Sequence, residues 1–406
     1  MLVLVMCFSS IFMTFDIDGD AAWTNPEYRI TETWRVNPYE YVTDEIYPRG
    51  NVCNVDDEEA PGMQITLVDY EKAVLISQNG LEAEVGFDFS TEHLWFSPNG
   101  EFILLYNYRT EDCIRIDLLN GTTNEFRPFD DERVGGTGYR FLSPLLSNTG
   151  SVAYKCHQTF RMLDSDLNVV VSDNDHFRYN TCASMSDDGS TFYITNGDHI
   201  EAYDSERNII WSREIEEFPQ ELGMTTIYTS SSGSVVCVVM DIAGKILFLD
   251  GETGAEISQI SPERPFGRTV QLTDNCKYIA YSYFANSITG NNGFATIYAG
   301  LLTDCLSDLY QINEYSIESD LSDGWVLRLL ALADNGVQMY MLAKAGRYIK
   351  YLLFSPTAEL IYCTEWNETP RSFKNYNIIS YLRNDGEEFC YFNGDEIIFY
   401  SIQELP

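Results

Sequence analysis

One pattern recurs along the 406-residue chain: an apolar run, a short polar turn ending in Gly, then a second apolar run. It reads WFSPNGEFILLY at Gly100, PLLSNTGSVAYK at Gly150, SMSDDGSTFYIT at Gly189 and YTSSSGSVVCVV at Gly233. It continues as QLTDNCKYIAYS, with Cys276 in the Gly place, then LALADNGVQMYM at Gly336 and SYLRNDGEEFCYF at Gly386. Asp or Asn followed by Gly supplies the positive φ angles of a tight hairpin, so each copy predicts two antiparallel strands. Successive copies stand 39 to 60 residues apart, which leaves room for two more strands in each unit.

A second marker fills that room. An apolar run ends in Asp at IRIDLLNG (Asp117), RMLDSDLN (Asp164), EAYDSERN (Asp204) and LFLDGETG (Asp250), each followed by another β-patterned run. The unit is therefore four strands, two around the Gly turn and two around the Asp turn. The chain closes on FCYFNGDEIIFYSI, which has the second and third strands of a unit but no fourth, while KAVLISQNGLEAEVGF before the first anchor offers unassigned strands. The expected fold is all-β: a single β-propeller of seven four-stranded blades, closed by an N-terminal strand that completes the last blade. Eight blades result if residues 28–87 form one of their own. Expected boundaries are 1–20 for a signal segment, 21–63 for an N-terminal extension and 64–406 for the propeller.

FSPNGEFILLY resembles the turn common to bacterial propeller repeats of the YVTN, WD-repeat-like and quinoprotein-like kinds, and LFLDGETGAEI resembles the D-x-x-T-G turn of quinoprotein blades. The resemblance covers residues 64–406 and implies a fold, not an activity. There is no Gly-His…Trp-Asp pair, and Trp211 alone fits the quinoprotein tryptophan position, so no quinone cofactor is implied.

The formal charge of −37, from 62 acidic and 25 basic residues, argues against nucleic acid and anionic membrane as partners. The first fifteen residues, MLVLVMCFSSIFMTF, are too short to span a bilayer and suit the apolar core of a secretory leader; a buried N-terminal strand is the alternative. No other segment has the length and apolarity of a membrane span. A secreted, periplasmic or cell-surface monomer is the expectation. There is no C-x-x-C pair, and Cys156, Cys237, Cys363 and Cys390 sit in β-patterned runs as small hydrophobes; Cys156 with Cys182, or Cys276 with Cys305, are candidate disulfides.

In a propeller the connections between units lie at the end opposite the two tight turns. Several of them place Arg beside aromatics: Tyr139-Arg140-Phe141, His176-Phe177-Arg178-Tyr179, Phe266-Gly267-Arg268 and Arg371-Ser372-Phe373, with Arg133 and Arg264 near. Brought together, Arg133, Tyr139, Arg140, His176, Arg178, Arg264, Arg268 and Arg371 would bind carboxylates of a peptide or an anionic small ligand. Alternatively, each Arg pairs with a local acid and serves packing alone. Asp16, Asp18, Asp20 and Glu27 match positions 1, 3, 5 and 12 of a calcium loop, but Ala21 stands where that loop needs Gly. The alternative is an acidic stretch following the leader. No cofactor is expected, with Ca2+ the one candidate ion, and His93, His157, His176 and His199 are too scattered in sequence for a zinc site.

No G-x-S-x-G or P-loop spacing occurs. Two functional classes follow. One is an extracytoplasmic scaffold binding a protein, peptide or ligand without catalysis. The other is a calcium-dependent propeller enzyme (lyase, lactonase or hydrolase) acting at the channel mouth.

Overall fold

The computed structural model describes residues 22–405, less 43–48, 56–61, 70, 89–92, 108–109, 111, 128–140, 157–158, 174–181, 197–198, 207, 216–224, 241–244, 261–269, 274–277, 286–292, 302–310, 320–325, 345–347, 358, 369–378 and 384. Its described strands form eight antiparallel sheets, seven of four strands and one of six. The first sheet comprises Arg49–Val55, Gly62–Val68, Lys72–Ser77 and Gly80–Gly86. The second comprises His93–Phe96, Phe102–Asn107, Asp112–Asp117 and Thr122–Phe126. Four strands in chain order repeat through the third (141–173), fourth (183–214), fifth (225–260) and sixth (270–319) sheets. The seventh, over 326–368, also takes Trp23–Thr24 and Asn367–Glu368.

The eighth sheet has Ser380–Leu382, Glu388–Phe392 and Ile397–Glu404, and its fourth strand is Tyr28–Val36. The two sequence-distant strands run antiparallel, with Tyr28 opposite Glu404 and Val36 opposite Ile397. Trp34 stacks on Phe399 with centroids 3.9 Å apart, and Val36 is buried beside Ile397 and Phe399. The missing strand inferred at the chain's end is thus supplied from residues 28–36.

Seven blades are the expectation, with eight as the alternative if residues 28–87 form one of their own; the described strands form eight sheets. The segment 21–63, read as an extension, supplies Tyr28–Val36 to the eighth sheet and Arg49–Val55 to the first. A boundary at residue 64 would cut the strand Gly62–Val68.

Packing runs from each sheet to the next. Buried clusters join first to second (Leu75 with Leu105), second to third (Leu104 with Tyr154), third to fourth (Met162 with Phe192) and fourth to fifth (Tyr193 with Val236). Thr225–Thr229 touches Val270–Leu272, and Tyr278–Ala285 touches Val326–Leu332, carrying the chain of contacts through the sixth sheet. Further clusters join seventh to eighth (Tyr351 with Tyr391) and eighth to first (Phe399 with Ile65). First strands touch first strands of adjacent sheets, as Ala183–Met185 does Thr225–Thr229, so they form the inner side of the array.

The tight turns explain why the repeat is so regular. The Gly of each described anchor, from Gly100 to Gly386, has φ between 72° and 87°. Before four of these glycines, by three residues, sits a buried hydroxyl: Ser97, Ser147, Ser186 and Ser230 are all at 0% exposure, whereas Ala333 and Arg383 hold that place before Gly336 and Gly386. Each hydroxyl accepts a backbone N–H from the start of the next strand, such as Phe102 N (3.0 Å) or Val235 N (3.1 Å). The Asp marker caps the other turn: Asp164 Oδ1 accepts from the N–H groups of Asp166 and Asn168, and Asp204 repeats this with Glu206 and Asn208.

Candidate functional site

Antiparallel pairing puts both tight turns of a sheet at one end, and the links to the neighbouring sheets at the other. The turn end is built from bonds between sheets. Thr66 Oγ1, Arg115 Nη1 and Tyr193 Oη, from three different sheets, each donate to the carbonyl of the anchor Gly in the next sheet. The acceptors are Gly100 at 3.0 Å, Gly150 at 2.7 Å and Gly233 at 2.6 Å. Arg115 is 6% exposed, lies over the Phe102 ring, and has its pKa lowered by burial. Its Nε finds no hydrogen-bond partner. The turns also bond to one another: Asn99 N donates to Asn148 Oδ1, Asn148 N to Asp187 O and Asp187 N to Ser231 O. Trp211 Nε1 donates to Gly251 O at 2.8 Å, with its ring packed under Gly254 (φ 69°).

At this same end the inner strands of three consecutive sheets leave an open cavity of about 280 Å3. Trp95, Phe96 and Pro98 come from the second sheet, Pro144, Leu145 and Leu146 from the third, and Met185 from the fourth. The polar lining is Ser97, Ser186 and Asp187. Both serine hydroxyls are committed within their turns, Ser97 to Asn99 Oδ1 (2.6 Å) and Ser186 to Asp188 Oδ1 (2.7 Å). The cavity is thus apolar, with its charge confined to Asp187 and the adjacent Asp188. Burial alone would raise the Asp188 pKa, but hydrogen bonds from Ser186 and Ser190 outweigh it and hold the carboxyl below its ordinary value. This volume is at the bottom of the range of about 300–1,000 Å3 for small-molecule pockets, which suits one bulky side chain better than a cofactor.

Carboxylates crowd the surrounding turns, including Asp117, Asp164, Asp166, Asp204, Glu206 and Glu252. Among the described turn residues at this end the one cation is Arg383, already bridged to Asp385, Glu387 and Glu388.

Of the residues singled out in the sequence, Arg133, Tyr139, Arg140, His176, Arg178, Arg264, Arg268 and Arg371 all lie outside the described residues, as do Asp16, Asp18 and Asp20. Glu27 is described: it is exposed in the turn before Tyr28–Val36, takes a hydrogen bond on its carbonyl from Leu405 N, and belongs to no metal-ligating cluster among the described residues. His93 stacks beside Trp95 at 5.9 Å, and His199 lies a sheet-width away in the fourth sheet. Cys182 is in no disulfide, so its pairing with Cys156 is not made; Cys276 and Cys305 lie outside the described residues. No described helix is long and apolar enough to cross a membrane.

Sequence reasoning missed the cavity. Its lining sits in and just before the anchor turns, at Trp95-Phe96-Ser97-Pro98 and Met185-Ser186-Asp187, where apolar letters read as ordinary strand core. The available signal was Pro98 and Pro144, two prolines flanking strand positions on neighbouring sheets.

No family model matches the chain, and no curated protein matches it in sequence. Solved structures match its fold. BamB from Moraxella catarrhalis is 11% identical, with 92% of this chain and 100% of that chain covered and a TM-score of 0.52. The C-terminal WD40 domain of Sif2 is 12% identical, with coverages of 89% and 98% and a TM-score of 0.53. At these identities the likeness establishes one thing, a β-propeller fold.

Proposed function

We propose that this chain is a non-enzymatic propeller scaffold that binds a protein or peptide outside the cytoplasm. The observation that carries the reading is the open cavity on the inner strands of the second to fourth sheets. Its walls are apolar, its serine hydroxyls are engaged, and the turns that frame it are bonded across sheets. Such a site is organised before a partner arrives, which lowers the cost of binding a side chain there. The arginines and aromatics of the connections, Arg133, Tyr139, Arg140, His176, Arg178, Arg264, Arg268 and Arg371, would give the scaffold a second surface, suited to carboxylates.

Export rests on the apolar start of the chain. Cleavage before Trp23 would leave every described strand intact. A photo-crosslinking residue at Pro98, used in the producing cell, tests the binding reading. One partner segment should be captured there, and capture should fall away in Leu145→Lys. Indiscriminate capture, or capture unchanged by Leu145→Lys, would refute it. Fractionation with N-terminal sequencing tests the location: the mature chain should begin before Trp23 and leave the cytoplasm.

A further inference from the structure

Resting on that scaffold reading, we infer that the cavity's occupant is a bulky apolar side chain carried on a cationic segment of a partner protein. The apolar half follows from the walls. Trp95, Phe96, Pro98 and Leu145 are incompletely buried and face about 280 Å3 of open space, enough for one ring or branched chain. Seating a Phe or Leu side chain there removes apolar surface from water and favours binding about tenfold or more. The serine hydroxyls at the floor are committed to their own turns and offer no specific recognition of a polar ligand group.

The cationic half follows from what surrounds the cavity. Asp187 is in the lining and Asp188 is next to it, kept ionised by Ser186 and Ser190. Beyond them the tight turns of the neighbouring sheets present Asp164, Asp166, Asp204 and Glu206, all exposed or half-exposed. The single described turn cation, Arg383, is held by three carboxylates and lies in the eighth sheet. A segment bearing Lys or Arg on both sides of its apolar anchor meets this field favourably, and an acidic one is repelled. The charges set on-rate and choice of partner, while the anchor sets how long it stays.

The test uses a pentapeptide with one phenylalanine flanked by two lysines on each side. Binding is read by calorimetry, and by Trp95 emission with Trp95→Phe as the blank. Replacing the phenylalanine by alanine should weaken binding at least about tenfold. Replacing the lysines by glutamates should abolish it, and raising salt should weaken the lysine peptide steadily. Leu145→Lys should weaken binding about tenfold or more. Asp187→Asn should do so less, and Asp395→Asn, at the opposite end of the eighth sheet, should not. Equal binding of lysine and glutamate peptides overturns the inference, as does equal binding by wild type and Leu145→Lys. If Leu145→Lys does not fold, the peptide series on the wild-type chain decides alone. Crosslinking of a neutral or acidic partner at Pro98 would refute this inference and leave the scaffold reading standing; no specific capture and no peptide binding would remove both.

Discussion

The two ends of the sheets are built on different principles. At the turn end, short connections repeat one chemistry: a buried hydroxyl, an Asn or Asp cap and a Gly with positive φ. Its hydrogen bonds cross from sheet to sheet, through Thr66, Arg115, Tyr193 and Trp211. At the other end the described strands run out into the links between sheets, whose sequences differ in length and composition, from residues 87–92 to residues 127–140, and hold the arginines singled out above. The contrast teaches where specification of the fold sits. The turn end determines how one sheet meets the next, and it leaves the other end's sequence free to differ.

Breaking the turn end should therefore be costly, and Gly251→Ala most of all. A Cβ there would overlap the Gly233 carbonyl oxygen, a backbone atom of the adjacent turn that cannot swing aside. The expected loss is about 3–5 kcal/mol in denaturant unfolding. Gly254→Ala would place a methyl 2.6 Å from the Trp211 ring on a left-handed backbone, with a similar outcome. Ser186→Ala comes next: it leaves Thr191 N without its hydroxyl acceptor and removes one of the donors to Asp188, for about 1–3 kcal/mol.

Tyr193→Phe removes one bond to Gly233 and should cost about 1 kcal/mol near neutral pH. Burial, helped by the charge of Asp250, pushes the Tyr193 pKa up to about 12. The unfolded chain ionises this phenol near its ordinary value of 10.0 while the folded chain keeps it neutral. Its contribution is thus complete below pH 10 and lost as pH rises towards 12. The stability gap between wild type and Tyr193→Phe should close over that window, measured by urea midpoints; a constant gap would contradict the burial argument.

The smallest effects should come from the opposite end. Arg140→Ala and Arg268→Ala should change stability by about 0.5 kcal/mol or less, as surface substitutions do. Losses on the scale of Ser186→Ala would instead mark these arginines as packing residues and remove the carboxylate-binding surface from the proposal.

The same contrast explains what could be read in advance. Gly100 to Gly386 and Asp117 to Asp250 are legible because turn geometry demands particular residue types at particular steps. The first sheet was legible only as the alternative blade over residues 28–87, because the stretch between Val55 and Gly62 has Asp, Glu, Ala and Pro and no Asp-Gly or Asn-Gly step. The hydroxyl before each Gly was present in every letter string from Ser97 to Thr273, yet its role appears only when burial and partner are known. The cavity was illegible for a different reason: Trp95, Leu145 and Met185 come from three sheets, and no local pattern in the chain records that they meet.

The pairing of Tyr28–Val36 with Ile397–Glu404 has a mechanical consequence. Tyr28 lies opposite Glu404, so both outer ends of this strand pair emerge at the same edge. A pull applied there loads the hydrogen bonds one after another, as a zip, and does not shear them together. Before Tyr28 can peel, the load must lift Trp23 and Thr24 from Cys363 and Tyr362 of the seventh sheet. Under tension the seventh sheet therefore gives up its two-residue edge strand first and the eighth sheet opens next, and a disulfide bridging the two partner strands of the eighth would move that second rupture elsewhere.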